Sequence, residues 1–137
     1  MKKTVLILLT VATLIFAADG DKLIGKYRIK DMFDIEIFKD NQTYSGKIIA
    51  LNGINDGNTK DIHNRDKERR TDNLVGKKII TNLVYSPEKK KWVDGKMYVA
   101  TKGVTINLTV LSLNEKGAEV LGQKLVMRKK IQWVRIK

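Results

Sequence analysis

His63 is the only histidine in the 137-residue chain, and there is no cysteine. A thiol nucleophile, an iron–sulfur cluster, a Cys-based or multi-histidine zinc site and any disulfide framework are thereby excluded. What remains for nucleophilic chemistry is His63 with Ser45, Ser86 or Ser112. None of these serines sits in the Gly-x-Ser-x-Gly turn that presents a hydrolase nucleophile. The stretch Asp56-Gly57-Asn58-Thr59-Lys60-Asp61 has residue types of a calcium loop, but the regular oxygen spacing and the closing Glu are missing, and Lys60 would repel a cation. Ordinary turn chemistry accounts for it. There is no Gly-rich phosphate cradle. No catalytic residue, resident metal or cofactor is therefore expected, and the chain is not expected to be an enzyme.

Charge is the other chemical resource. Lys and Arg number 27 against 15 Asp and Glu, a formal net charge of +12. An excess of that size attracts phosphate, lipid headgroups or acidic polymers at low salt, unless it serves only as a solvated surface. The cations gather at Arg65–Arg70, Lys77-Lys78, Lys89-Lys90-Lys91 and Arg128-Lys129-Lys130. These clusters flank strand-like segments and do not form the interleaved basic and aromatic platform of a small nucleic-acid module, so no nucleic-acid partner is expected.

The first residues read as an address. Lys2 and Lys3 precede the uncharged, largely apolar Val5–Phe16, and Ala17 and Ala18 offer small residues at a cleavage point. This is the pattern of a secretory signal peptide over residues 1–17, with cleavage after Ala17 or Ala18. The apolar run falls short of the roughly 20 residues a membrane-spanning helix needs. Loss of Lys2 and Lys3 leaves a mature protein of about +10. It is expected in the periplasm or outside the cell.

The remaining residues 18–137 have the length of one domain, and strand signals dominate them. Leu23–Lys30, Ile35–Phe38, Tyr44–Leu51, Lys77–Tyr85, Trp92–Thr101, Val104–Leu113, Ala118–Leu125 and Ile131–Ile136 are rich in Ile, Val, Tyr and Thr. Turn residues separate them at Asp40-Asn41-Gln42, Ser86-Pro87-Glu88, Lys102-Gly103 and Asn114–Gly117. In Val104–Val110 the apolar Val104, Ile106, Leu108 and Val110 alternate with Thr105, Asn107 and Thr109, as in a strand with one buried side. Eight short strands in succession predict an antiparallel up-and-down barrel, whose closure removes exposed edges. A membrane-spanning barrel would need an outward apolar band between aromatic girdles. Lysines spread through these strands argue against it, so the mature chain is not expected to span a membrane. First and last strands of a closed meander are neighbours, which places Tyr27 near Trp133 or Arg135. The polar interval Asn52–Asn73 is a long loop, either a lid over one barrel mouth or a solvated excursion.

Several short pieces, in order, carry a family resemblance. They are Gly25-Lys26-Tyr27, Ile35-Glu36-Ile37, Tyr44-Ser45-Gly46-Lys47-Ile48, Asp61-Ile62-His63-Asn64, Arg69, Leu74-Val75-Gly76, Trp92 with Gly95-Lys96-Met97-Tyr98, and Gln132-Trp133-Val134-Arg135-Ile136. The mature chain resembles the small secreted bacterial proteins of domain of unknown function family 2147. The resemblance implies a lipocalin-like β-barrel and no known enzymatic activity. It marks Gly25, Tyr27, Asp61, Asn64, Arg69, Gly76, Trp92, Gly95, Trp133 and Arg135 as structural motif positions. The family usually has Trp where Tyr27 stands and Pro where Arg65 stands.

The resulting expectation is an exported, soluble, lipocalin-like barrel that binds a small hydrophobic or amphipathic ligand in its interior. Candidate lining residues are Ile35, Ile37, Ile48, Ile79, Leu83, Met97, Val99, Ile106, Leu108 and Trp133. The bland alternative is that these side chains simply fill the barrel. A rival function is a cationic cell-envelope protein that binds anionic polymer or lipid headgroups through surface Lys and Arg.

Overall fold

The computed structural model describes residues 19–137; the signal peptide expected over residues 1–17 lies outside the described residues. Eight strands follow in chain order: β1 Gly25–Ile29, β2 Phe33–Asp40, β3 Thr43–Leu51, β4 Lys78–Ser86, β5 Lys91–Val99, β6 Val104–Asn114, β7 Gly117–Lys124 and β8 Met127–Ile136. Each pairs antiparallel with the next, and β8 returns to β1, giving a closed barrel. The seam joins Lys26 to Ile136, Tyr27 to Arg135, Arg28 to Val134 and Ile29 to Trp133. This is the antiparallel up-and-down barrel that the strand pattern predicts.

All eight expected strands are present, and two differences bear on the barrel's interior and its open end. β8 begins at Met127, so the basic run Arg128-Lys129-Lys130 lies in a strand and pairs with Gln123, Gly122 and Leu121. The β7–β8 turn is then Leu125-Val126, whereas the strand expected from the sequence runs through Leu125. The second difference is in β4 and β5, where Asn82 and Asp94 both have φ of 63°. Each adds a residue to its strand, and the Asn82 side-chain amide donates to the Asp94 carbonyl at 3.0 Å. The local alternation shifts there. Consequently Ile80 and Leu83 are both fully buried although three residues apart.

The chain enters at one end of the barrel, where the β2–β3, β4–β5 and β6–β7 turns also lie. At the opposite end are the β1–β2, β5–β6 and β7–β8 turns and the long connection between β3 and β4. That connection contains short 3-10 turns at Ile54–Gly57 and Lys67–Arg69 and an isolated bridge between Lys60 and Asn73.

Candidate functional site

The two ends of the barrel are built differently. At the entry end the segment Asp19–Ile24 crosses the opening as a strap. Leu23 on it is fully buried. The Trp92 indole donates to the Gly20 carbonyl at 3.0 Å, the Tyr27 hydroxyl to the Leu23 carbonyl at 2.7 Å, and Arg135 to the Lys22 carbonyl at 3.2 Å. The Tyr44 hydroxyl donates to the Asp21 carboxylate at 2.6 Å, which holds that carboxyl below its ordinary range. Beneath the strap the Tyr27 and Trp133 rings lie 5.7 Å apart between centroids, and the Arg135 guanidinium sits 4.9 Å from the Tyr27 ring centre. Burial pushes the Tyr27 hydroxyl pKa up, against the lowering influence of Arg135. The Trp133 indole N–H has no acceptor among the described residues. Beside the strap a hollow of about 260 Å³ lies among Asp19, Lys22, Tyr85, Lys90 and Trp92; it carries both signs of charge.

The other end opens into a cavity of about 400 Å³, within the usual range for small-molecule sites. Its wall is apolar: Met32, Met97, Val99, Val104, Ile106, Met127 and Ile131. Exposed Lys102, Lys124, Arg128 and Lys129 also border it, with Thr101, Gly122 and Gln123. No carboxylate, histidine or serine is among these lining residues. Gly122 stands opposite Leu108 on β6 and Lys129 on β8.

Of the ten residues expected to line a cavity, Met97, Val99 and Ile106 do so. Ile35, Ile37, Ile48, Ile79, Leu83, Leu108 and Trp133 are instead buried in the packed core, which corrects their assignment as lining. An eight-stranded barrel is only about as wide as the side chains that fill it, so most of its length is solid. At Ile79 the β3–β4 register shifts, so that Ile79 and Ile80 are both buried and Ile80 is the partner of Gly46. A Cβ on inward Gly46 would sit 3.1 Å from the Cβ of Ile80, its neighbour. Sequence reasoning missed Met32, Val104, Met127 and Ile131. Val104 belongs to the alternation visible in β6, whereas Met32 and Met127 lie in or beside turns, where periodicity gives no signal.

The long loop does not close the cavity, because no lining residue comes from it. It is pinned to the wall through Asp61, which is fully buried. The Asp61 carboxylate accepts from Asn64 at 2.8 Å and from the Tyr98 hydroxyl at 2.8 Å, and lies 3.0 Å from the Lys77 ammonium. Burial alone would raise this carboxyl's pKa; the three donors outweigh it and hold it low. Burial, and then the hydrogen bond to and the charge of Asp61, raise the Tyr98 hydroxyl far above an ordinary phenol. A Cβ at Gly103, whose φ is 67°, would overlap the His63 carbonyl, so the β5–β6 turn and the loop touch at a place only glycine fits. Asn58 accepts from the Lys60 backbone at 2.9 Å, an ordinary local turn. Among the described residues no three His, Cys, Asp or Glu side chains gather where a metal could bind.

Eight of the ten resemblance positions fall into two groups. Gly25, Tyr27, Trp92, Trp133 and Arg135 belong to the strapped end. Asp61, Asn64 and Gly76 fix the loop, the last by donating to the Ile48 carbonyl at 2.7 Å. Arg69 is exposed, with ion pairs to Asp66 at 3.6 Å and Asp72 at 4.0 Å. At Gly95 a Cβ would lie 2.5 Å from Leu83 and 2.9 Å from the Leu108 carbonyl, which explains the glycine by core space.

Comparison with known proteins agrees with this geometry. The solved structure of protein HP1028 from Helicobacter pylori, described as belonging to the lipocalin family, matches with a TM-score of 0.69 at 23% identity. The match covers 84% of this chain and 83% of that one, and at this identity it speaks for the fold. No curated protein matches the sequence. A family described as an uncharacterized protein conserved in bacteria, DUF2147, matches residues 25–135. That match runs from the first residue of β1 nearly to the end of β8, and the chain belongs to the DUF2147 family.

Proposed function

We propose that this chain is an exported carrier or sensor protein that holds one small amphipathic molecule in the open end of its barrel. The apolar part occupies the space between Met97, Val99, Ile106 and Ile131, and an anionic head meets Lys102, Lys124, Arg128 or Lys129. The observation that carries this reading is the asymmetry of the ends: one is filled and strapped, the other leaves about 400 Å³ of apolar space beside cations. Buried apolar surface would supply the affinity, at about 25 cal/mol per Å² before ordering costs. The cations would orient the head. No carboxylate or histidine stands among the lining residues to activate Thr101 or a lysine, which favours binding over catalysis.

Native mass spectrometry of the protein purified from its own host tests this directly. A discrete added mass that disappears on denaturation is expected, and its composition gives the ligand class. Ile106→Trp, which fills the cavity, should reduce uptake of that ligand at least about tenfold while leaving the barrel folded. A bare mass with no uptake from a lipid extract would overturn the reading.

A further inference from the structure

The β7–β8 turn combines two choices that oppose its own stability. Leu125, Val126 and Met127 are 88%, 95% and 75% exposed, an unbroken apolar run. Other exposed large hydrophobics, such as Val75, Val84 and Val134, are scattered singly. Leu125 also holds φ at 54°, in the left-handed region, which Asn, Asp and Gly occupy more readily. At the opposite end of the barrel the two-residue β2–β3 turn has Asn41 in that conformation, with φ of 58°. Solvation and backbone preference both favour replacing Leu125. Strain of this kind is a reason to look for function.

Cations bracket the run. Lys124 precedes it and Arg128, Lys129 and Lys130 follow, and no acidic residue occurs between Glu119 and the C-terminus. Lys130 lies 3.3 Å from Glu119. The neighbouring β5–β6 turn adds Lys102, and the β1–β2 turn carries both Lys30 and Asp31. A second copy of the chain is a poor occupant, because a symmetric contact would bring two such clusters together. An acidic polymer would satisfy the cations and leave the apolar tip in water. An anionic lipid surface satisfies both: short apolar side chains enter the boundary between headgroups and acyl chains, while Lys and Arg reach the phosphates.

We infer that the β7–β8 hairpin tip is a docking element for anionic membranes, placed so that the open mouth of the barrel faces the bilayer. Met127, Arg128 and Lys129 border the cavity, so the docked surface and the mouth are continuous. The inference goes beyond ligand holding and does not require it. Three apolar residues give only marginal insertion by themselves, so docking needs the anionic lipid and is reversible.

The cysteine-free sequence allows an unambiguous test. Val126→Cys carries an environment-sensitive fluorophore at the tip, and Asn41→Cys carries it at the opposite end. Each labelled full-chain protein is mixed with phosphatidylcholine vesicles, with or without phosphatidylglycerol. The expected result is a blue shift at position 126 only, only with phosphatidylglycerol, and reversed by high salt. The unlabelled L125S/M127S variant should lose roughly tenfold in vesicle partitioning by flotation, with near-UV dichroism unchanged. No shift at 126, an equal shift at both positions, or a shift at 41 alone would each overturn the inference. Ligand occupancy by native mass spectrometry is a separate readout, so an empty cavity with a shift at 126 would reject only the carrier reading.

Discussion

The two ends of this barrel use the same sheet for opposite purposes. At the entry end large side chains converge: Leu23, Tyr27, Trp92 and Trp133 are essentially buried, and the strap hydrogen-bonds to residues on β1, β3, β5 and β8. At the other end three of the lining side chains are methionines, Met32, Met97 and Met127. Methionine fits irregular contents without specifying a shape. Stability is thus concentrated at one end and adaptability at the other.

Substitution can break that contrast. Trp133→Ala empties the centre of the strapped end and should cost about 3–5 kcal/mol in urea unfolding. Met127→Ala at the open mouth should stay within about 0.5 kcal/mol, as an exposed position allows. Equal losses at both positions would mean that the ends are not energetically distinct. Trp133→Phe sharpens the point: it keeps an aromatic ring beside Tyr27 and removes the unpartnered indole N–H, so its cost should be less than about 2 kcal/mol.

An intermediate effect is expected where the loop is pinned. Asp61→Asn removes the charge facing Lys77 and turns one of the two accepting carboxylate oxygens into a donor that faces donors. It should cost about 2–3 kcal/mol, moderated because Lys77 is partly solvated. Acid should imitate it. Since the folded pKa of Asp61 lies below that of the unfolded chain, its contribution is complete above the unfolded value of about 4 and is lost as pH falls through the folded one. Limited proteolysis between Asn52 and Asn73 should accelerate only in that acidic window. Acceleration near neutrality would point to another anchor.

At the tip a small effect of opposite sign is expected. Leu125→Asn relieves a left-handed leucine and removes an exposed apolar side chain, so it should stabilise the fold by up to about 1 kcal/mol. A loss of stability there would mean that the tip is held by packing, and would weaken the contrast between a rigid end and a working one.

Much of the architecture was legible from residue order. Alternation in β6 and β-branched runs elsewhere revealed the strands, and closure made neighbours of Tyr27 and Arg135, which the seam pairs. The interior was less legible. The extra residues at Asn82 and Asp94 shift the inward face, and nothing in the local alternation marks Ile80 over Ile79 as the neighbour of Gly46. The tip was misread for a related reason. Leu125 resembles strand core, and Arg128-Lys129-Lys130 resembles a loop, because periodicity reports burial and these residues are placed against it. The cavity was invisible as a volume, since it depends on how far side chains from different strands reach.

The seam between β1 and β8 also governs timing during synthesis. Lys26 meets Ile136 only once the first and the eighth strand are both available, and contacts so distant in sequence make folding slow. Until then both outer strands carry unsatisfied backbone groups, which a holding chaperone can occupy. For the export proposed above this delay is useful: a chain that cannot close until its last strand emerges stays threadable through a translocation channel.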